Sequence, residues 1–133
     1  MRSRMVQVGV IVSDTLGRAW REGQTDQAIG AAGIYVFEDL RGSVDAEGRP
    51  LVVTMPCVAD ELASVTDLVK GKTSRKPVAI VRGRGDLVGS LDLPGARSIV
   101  RALENDMFHT ESAEAYAEGF DAGLKASQSD ADA

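Results

Sequence analysis

The sequence contains few of the residue types that build many common active sites. Its 133 residues include one cysteine, one histidine and one tryptophan. A single cysteine excludes an internal disulfide framework and is typical of proteins of the reducing cytoplasm. His109 has no cysteine or second histidine as a partner, which favours a helix-start residue over a zinc ligand or general base. Cys57, between Pro56 and Val58, is interpreted as a small buried apolar residue and not as a nucleophile.

The sequence also has fewer basic than acidic residues and contains no long apolar run. The chain has 20 acidic and 15 basic residues, a net charge of −5, and 5% aromatic residues, which argues against a nucleic-acid partner. We expect no membrane partner and a cytoplasmic location, because no apolar run is long enough to span a bilayer and no cleavable signal is visible. The basic residues cluster locally, which favours a compact anionic ligand: Arg18 with Arg21, Lys70 to Lys76, and Arg82 with Arg84.

The apolar content, 44% of the residues, is sufficient for one hydrophobic core. Strand-like patterns come first and helical patterns later, which predicts an α+β fold with a mixed or antiparallel sheet. We expect one domain over residues 1–126 and a disordered acidic tail over residues 127–133.

Periodicity and turn residues predict the individual elements. Strands are expected at Met5–Val12, Gly30–Glu38 and Pro77–Arg82, with a turn over Arg41–Arg49. A helix starting near Thr54 and ending at Gly71 is expected to bury Val58, Leu62, Val65 and Val69. A helix from Asp92 is expected to bury Ala96, Ile99, Val100, Leu103 and Met107. A last helix, from Thr110, has on one side Ala113, Tyr116, Ala117, Phe120 and Leu124.

The stretch Val10–Gly33 is the candidate site, because a polar loop is expected there between two apolar segments. Asp14 and Thr15 directly follow the first predicted strand. A carboxylate beside a hydroxyl offers hard oxygen ligands for Mg²⁺ or Mn²⁺ that hold phosphates. The alternative is an Asx turn that ends the strand.

The same predicted loop carries further polar side chains with two interpretations each. Arg18 and Arg21 either form a guanidinium fork on phosphate or carboxylate oxygens, or are solvated loop charges. Gln24, Thr25 and Asp26 either orient water, metal or an amide, or cap the local backbone.

A second polar segment, Lys70-Gly71-Lys72-Thr73-Ser74, has the composition of a phosphate cradle. It is not a P-loop, because it follows a helix and lacks the full glycine spacing. A helix C-cap with a basic last turn explains it equally well.

Beyond these patterns, a longer set of motifs runs in order over nearly the whole chain: Ser13-Asp14-Thr15, Gly17-Arg18, Trp20-Arg21, Gly23-Gln24-Thr25-Asp26, Ala28-Ile29-Gly30, Gly33, Arg41-Gly42, Asp45, Gly48-Arg49, Leu51-Val52-Val53-Thr54, Ala59-Asp60-Glu61-Leu62-Ala63, Asp67 to Lys72, Pro77 to Gly83 and Asn105 to Phe108. In these residues the chain resembles the coenzyme F420:L-glutamate ligase family, in its actinobacterial form.

The resemblance implies a cytoplasmic, GTP-dependent ligase that adds L-glutamate to coenzyme F420-0 or F420, with Mg²⁺ or Mn²⁺, an α+β fold particular to the family, and a homodimer. It implies that Asp14 holds a first metal ion and Thr15 a second, and that Lys70, Gly71, Lys72, Thr73 and Ser74 lie along the nucleotide phosphates. Arg18, Arg21, Gln24, Thr25 and Asp26 match the parts that phosphoryl transfer requires, which makes them the candidate catalytic residues.

The resemblance covers about the carboxy-terminal half of the family's usual chain. Some members have an acidic residue where this chain has Lys72. A second hypothesis follows from the missing half: a non-catalytic or split-enzyme fragment that dimerises or assembles with a separate amino-terminal partner.

Overall fold

The computed structural model of the chain describes residues 6–106 and 112–131. The chain divides into two units, one ending at Val100 and one beginning at Arg101. The first unit contains a two-stranded antiparallel sheet and one α-helix, and the second contains another α-helix. The α+β class is therefore confirmed, while the fold particular to the family and the domain boundary near residue 126 stay predictions.

A long β-hairpin takes the place of the predicted polar loop. Strand β1 is Val10–Arg18 and strand β2 is Arg21–Ala32, so most of the expected loop is extended backbone. Ala19 and Trp20 form the turn, where Trp20 has a φ of 65° and a largely exposed side chain. The loop prediction was wrong because polar residues here alternate between the two faces of a strand pair. Composition suggested a loop, whereas the period of two is that of a strand.

The two faces of the hairpin differ in environment. Along β1, Ile11, Ser13 and Thr15 are partly buried, while the residues between them are exposed. Asp26 lies opposite Thr15, and Ala28 lies opposite Ser13. The register shifts at Val12 and Ser13, which leaves one extra residue on β2 between the partners of these two. Serine, threonine and aspartate side chains therefore share the inner face.

Helix α1 spans Val58–Lys70, beginning four residues after the predicted start. Its C-terminus is the predicted one, because Gly71 has a φ of 64° and its N–H donates to the Asp67 carbonyl. The buried helix residues are Val58, Ala59 and Ala63.

The prediction of which residues of α1 are buried is confirmed at Val58 and is wrong at the C-terminal end of the helix. Val65 is 56% exposed and Val69 is 71% exposed. The last turns of α1 pack beside polar side chains of the hairpin, so apolar residues there gain no core contact.

The core lies between the hairpin, α1 and the segments that follow them. One cluster contains Ala28, Val36 and Ala59, and another contains Ile34, Val58 and Leu87. Ile11 and Ala31 of the hairpin pack against both clusters. Because Ala59 is fully buried and alanine is small, α1 lies close to β2. The core thus holds the inner face of the hairpin against the helix.

The other two predicted strands are not formed. Within residues 6–106, the segment Pro77–Arg82 has no strand partner, and Val78 and Ile80 are exposed. Of Gly30–Glu38, the first three residues belong to the end of β2, and Ile34 forms a single bridge to Val88. The turn over Arg41–Arg49 closes with one bridge between Val44 and Pro50. An apolar run forms a strand only where a second strand satisfies its backbone groups.

The predicted helix from Asp92 is replaced by two short 3-10 turns, Gly95–Ile99 and Leu103–Asn105. Of its expected apolar stripe, Ala96 is buried but Val100 and Leu103 are exposed. Met107 lies outside the described residues, as do His109 and Thr110.

In the second unit, helix α2 spans Ser112–Ala131. The rings of Tyr116 and Phe120 stack on it with centroids 6.4 Å apart. The helix extends into residues 127–131, where a disordered tail was predicted. No helix within residues 6–106 and 112–131 is both long and apolar enough to cross a membrane.

Candidate functional site

The site is centred on Asp26, a carboxylate that is 3% exposed on the inner face of β2. Both of its oxygens are hydrogen-bonded. Ser13 Oγ and Lys70 Nζ donate to Oδ2, at 2.9 and 3.1 Å. Thr15 Oγ1 and Lys72 Nζ donate to Oδ1, at 2.9 and 2.7 Å. A hydroxyl and an ammonium thus meet each oxygen, which is how a buried carboxylate keeps its charge.

These contacts decide the ionisation of Asp26. The hydrogen bond from Lys72 contributes most to holding the pKa of the Asp26 carboxyl well below its usual range. Burial acts in the opposite direction and raises it, and the hydrogen bonds from Lys70, Ser13 and Thr15 lower it further. Asp26 is therefore a permanent anion and cannot serve as a general acid near neutral pH.

Lys72 joins three elements at one point. Its Nζ lies 2.5 Å from Thr15 Oγ1 on β1, 2.7 Å from Asp26 Oδ1 on β2 and 2.9 Å from Asp67 Oδ1 on α1. We call these three oxygens the oxygen cage. The hydrogen bond to Asp26, and then the one to Asp67, raises the pKa of the Lys72 ammonium. The lysine is charged at every physiological pH.

A cleft of about 230 Å³ opens beside this network, and we call it the Asp26 cleft. Its lining residues come from β1, β2, the end of α1 and the segment after it: Ser13, Asp14, Thr15, Asp26, Asp67, Lys70, Gly71, Lys72, Lys76 and Pro77. Three of these residues are lysines and three are aspartates. A cleft of this charge and size is suited to phosphate groups accompanied by a cation.

Helix α1 also fixes β2 from the side opposite β1. Asp60 Oδ1 accepts a hydrogen bond from the Ala28 N–H at 2.8 Å. One turn later, Ser64 Oγ donates to the Asp26 carbonyl at 2.8 Å. Two helix side chains thus satisfy backbone groups on the strand edge that β1 leaves free. This places Asp26 relative to the lysines at the end of the same helix.

The two predicted metal ligands, Asp14 and Thr15, both line the Asp26 cleft. Asp14 is exposed, and its Oδ1 accepts a hydrogen bond from the Thr15 N–H at 2.8 Å. The Thr15 hydroxyl is already engaged with Asp26 and Lys72. In the part of the chain that the structure describes, no three carboxylate, histidine or cysteine side chains converge to hold a metal ion. A metal ion bound here would need further oxygen ligands from a bound molecule or from water.

The five predicted catalytic residues are divided between places. Asp26 lies in the Asp26 cleft, whereas Arg18 and Thr25 line a second cleft of about 570 Å³ beside α1. In the register of the hairpin, Arg21 lies opposite Arg18 next to the turn, and Gln24 lies opposite Gly17. Strand alternation separates them, since Thr25 and Asp26 point to opposite faces of β2.

The predicted phosphate segment is divided as well. Lys70, Gly71 and Lys72 line the Asp26 cleft. Ser74 closes the turn after α1, where its Oγ donates to the carbonyl oxygens of Lys70 and Gly71. Neither Thr73 nor Ser74 is among the residues that line the described cleft.

The prediction of site residues missed four residues that line the Asp26 cleft, namely Pro77 and three polar residues. Ser13 lies two residues before Thr15, so the period of a strand would have placed both on one face. Asp67 lies three residues before Lys70, which places both on one side of α1. Lys76 lines the cleft from the segment after the helix, and the local cluster of basic residues from Lys70 to Lys76 was the signal for it. Among the described residues, Lys76 forms no ion pair.

Comparison with known proteins identifies the same family as the motifs. Residues 2–83 match the family model described as F420-0:Gamma-glutamyl ligase. The coenzyme F420:L-glutamate ligase of Methanopyrus kandleri is 42% identical over 105 residues, which cover 77% of this chain and 42% of that protein. The protein of the same name from Methanocaldococcus jannaschii is 40% identical over 103 residues, 77% of this chain and 40% of that protein.

A third relative, the coenzyme F420:L-glutamate ligase of Halobacterium salinarum, is 40% identical over 100 residues, 74% of this chain and 38% of that protein. The chain thus spans about two fifths of the length of these curated relatives. The matched residues 2–83 include β1, β2, α1 and all residues that line the Asp26 cleft. The chain belongs to the F420-0:Gamma-glutamyl ligase family.

Proposed function

We propose that this chain carries the metal- and phosphate-binding part of a GTP-dependent ligase that adds L-glutamate to coenzyme F420-0 or F420. The Asp26 cleft holds the terminal phosphates of the nucleotide. The carboxylate substrate accepts a phosphoryl group there before the amine of glutamate attacks. The relatives' names support the ligase and its two substrates, and the chemistry of the cleft supports the phosphate.

The reaction requires activation of a carboxylate, because oxide is a very poor leaving group. Transfer of the GTP γ-phosphoryl group to the carboxylate oxygen produces an acyl phosphate and GDP. Attack by the glutamate amine then forms the amide and releases phosphate. Such transfers depend mainly on positioning and on neutralising charge, so they need cations and no cysteine or histidine nucleophile.

A divalent cation fits the donors of this cleft. Mg²⁺ and Mn²⁺ take hard oxygen ligands, and Mg²⁺ is commonly held by one or two carboxylates together with substrate phosphates and waters. Asp14 would hold it, since this residue lines the cleft and is exposed, and among the described residues its carboxylate accepts a hydrogen bond only from the Thr15 N–H, at one of its two oxygens. The cation would supply charge neutralisation at the phosphates. Lys76, and the one N–H of Lys70 that Ser13 and Asp26 leave unused, add positive charge on the same side.

One observation carries the proposal: the fold brings Asp14, Asp26, Lys70 and Lys76 into a single cleft from segments far apart in sequence. A buried anion that fixes two lysines at the edge of a cleft forms a rigid electrostatic environment. Such an arrangement is more specific than a solvated charge cluster, because burying Asp26 without these partners would be strongly unfavourable.

The test is Asp14→Asn in the chain, measured by calorimetric titration with GTP and Mn²⁺ and by GDP release with coenzyme F420-0 and L-glutamate. Loss of metal-dependent nucleotide binding is expected, because an amide is a weaker ligand than a carboxylate. Asp45→Asn is the matched control, since Asp45 caps a turn outside the cleft. Equal binding by wild type and Asp14→Asn would remove the metal role of Asp14.

A second function has an observation of its own. The outer face of the hairpin exposes Val10 and Val12 at alternate positions of β1, and Leu16 follows beyond Asp14 on the same face. Val10 and Val12 form an exposed apolar patch on a strand whose second edge has no partner in residues 6–106. This patch favours an assembly module, either in a homodimer or with a separate amino-terminal part of the ligase.

Sedimentation of the chain with and without Val12→Lys tests the assembly function. A fall in apparent mass for the variant would support a homodimer through this face. Nucleotide binding that appears only after addition of a separately produced amino-terminal part would support the split form. A monomeric wild type that binds GTP and Mn²⁺ by itself would reject the assembly function.

A further inference from the structure

Three oxygens from three elements lie within hydrogen-bond distance of the Lys72 ammonium, although 57% of this side chain is exposed. The oxygen cage contributes one atom each from β1, β2 and α1, at 2.5, 2.7 and 2.9 Å from Nζ. A lysine ammonium has three N–H donors, and these three acceptors use all of them. In this arrangement Lys72 has no donor left for a phosphate oxygen, which separates it from Lys70 and Lys76.

The charges around the cage balance only while Lys72 is present. Asp26 and Asp67 contribute two negative charges, and Lys70 and Lys72 contribute two positive charges. Without Lys72, the hydroxyl and the two carboxylates would carry excess negative charge around a small space. Hard oxygens in that state are ligands for a divalent cation.

An ammonium and a divalent cation cannot both occupy this cage. Mg²⁺ requires ligands at roughly 2.0–2.1 Å, so it would need the same lone pairs of Thr15 and Asp26 that Lys72 uses. The resemblance to the family implied a second metal ion at Thr15. The position of Lys72 is incompatible with that ion while the cage is closed.

We propose that Lys72 is a built-in cation of this chain, filling an oxygen cage that would otherwise bind a second divalent metal ion at Thr15. The cage therefore needs no second metal, and the first metal ion binds elsewhere in the cleft. Only the assignment of that first ion to Asp14 rests on the proposed function. The role of Lys72 concerns the cage alone and can be tested without nucleotide or substrate.

The test counts Mn²⁺ ions bound by the full chain, from the paramagnetic resonance signal of free Mn²⁺. Lys72→Met removes the ammonium and adds no metal ligand. The variant is expected to bind one more Mn²⁺ per chain than the wild type. Its cage should bind Mn²⁺ at least about tenfold more tightly than the wild-type cage does, because the positive charge next to the three oxygens has been removed.

Two controls isolate the cage. Lys76→Met removes the same charge from the same cleft but from outside the cage, so its Mn²⁺ count should equal that of the wild type. Lys72→Met combined with Asp67→Asn removes one cage carboxylate and should lose the additional ion. An equal count for Lys72→Met and wild type, or the same gain for Lys76→Met, would overturn the proposal.

A measurement on the wild type covers the case in which Lys72→Met does not fold. In a chain labelled with ¹³C,¹⁵N-lysine, the Cε–Nζ signal of Lys72 is detected without dependence on proton exchange and is assigned by its absence in Lys72→Arg. Saturating diamagnetic Mg²⁺ should leave this signal in place, because Lys72 keeps its three oxygens. Movement of the signal to the position of a lysine free in water on adding Mg²⁺ would overturn the proposal.

The two variants distinguish a failure of the proposed function from a failure of the proposal for Lys72. If Asp14→Asn does not affect binding of Mn²⁺ and GTP while Lys72→Met gains an ion, the proposed function fails and the built-in cation stands. If Asp14→Asn abolishes binding and Lys72→Met gains nothing, the reverse holds.

Discussion

The Asp60 carboxylate of α1 accepts a hydrogen bond from the Ala28 N–H of β2 at 2.8 Å, across 32 residues of sequence. Ala28 lies two residues beyond Asp26 on the same strand. With the bond from Ser64 to the Asp26 carbonyl, this contact joins the helix to the backbone of β2 at the central residue of the site and two residues beyond it. The location of Asp26 therefore depends on α1 as much as on the hairpin.

Replacing Asp60 tests this connection. Asp60→Ala leaves the Ala28 N–H without its acceptor and should lower the free energy of unfolding by about 1–3 kcal/mol. Asp60→Asn should lose clearly less, because its amide oxygen can still accept the bond. Urea unfolding followed by circular dichroism measures both, and equal losses for the two variants would contradict the edge-capping role.

The lowered pKa of Asp26 predicts how stability depends on pH. A carboxyl that is more acidic in the folded than in the unfolded chain stabilises the fold fully above its unfolded pKa, about 3.9. That contribution is lost as the pH falls from there towards the lowered folded pKa. Denaturant unfolding between pH 7 and pH 2 should show a loss on the order of 2 kcal/mol below about pH 4.

Asp26→Asn should be less stable than the wild type at pH 7, and its free energy of unfolding should fall less as the pH is lowered below about 4. Its amide has no charge with which to compensate Lys70 and Lys72. An identical fall for the two proteins would show that other carboxyls cause the pH dependence.

Two glycines that begin 3-10 turns should respond very differently to alanine. Gly95 has a φ of 68°, and an added Cβ would lie 2.5 Å from the Ala31 carbonyl oxygen of β2. Gly95→Ala should therefore cost about 2 kcal/mol or more in stability, from backbone strain and overpacking. Gly85 starts a different 3-10 turn, Gly85–Leu87, and no atom lies within 4 Å of its added Cβ, so Gly85→Ala should be nearly neutral. Thermal unfolding of both variants decides, and equal losses would contradict the contact at Ala31.

Two valines of α1 test which helix face is buried. Val58 is 2% exposed and packs in the core, so Val58→Ala should lower the free energy of unfolding by about 1–3 kcal/mol. Val65 is more than half exposed, and Val65→Ala should change it by less than about 0.5 kcal/mol. Urea unfolding compares them. A large loss for Val65→Ala would mean that the helix buries the face expected from its periodicity.

Much of the candidate site could be predicted from local sequence. Asp14 and Thr15 were identified by their position after an apolar run, Asp26 by the polar stretch that follows, and Lys70 to Lys72 by a helix end marked with Gly71. The helix end is correct because a helix cap depends on neighbouring residues. The strand end predicted at Val12 was wrong, since β1 continues to Arg18. Such local signals do not show which of these side chains meet.

The elements that the analysis missed required tertiary information. The polar sequence around Gly23 was interpreted as a loop because threonine and aspartate are frequent in loops, yet here Asp26 contacts Lys70 at the end of α1 and Lys72 just after it. The apolar run Pro77–Arg82 looked like a strand but has no pairing partner in residues 6–106. Both errors arise because strand formation depends on pairing between distant segments.

The sequence by itself determined the α+β class, the family, the end of α1 and the oxygen-rich residues that follow the first apolar run. Only the tertiary structure decided that Asp26 faces Lys70 and Lys72 while its neighbour Thr25 faces another cleft. The physical reason is that side-chain direction follows from strand register and helix packing. Charges separated by more than forty residues come together only when the hairpin and helix pack through their shared core.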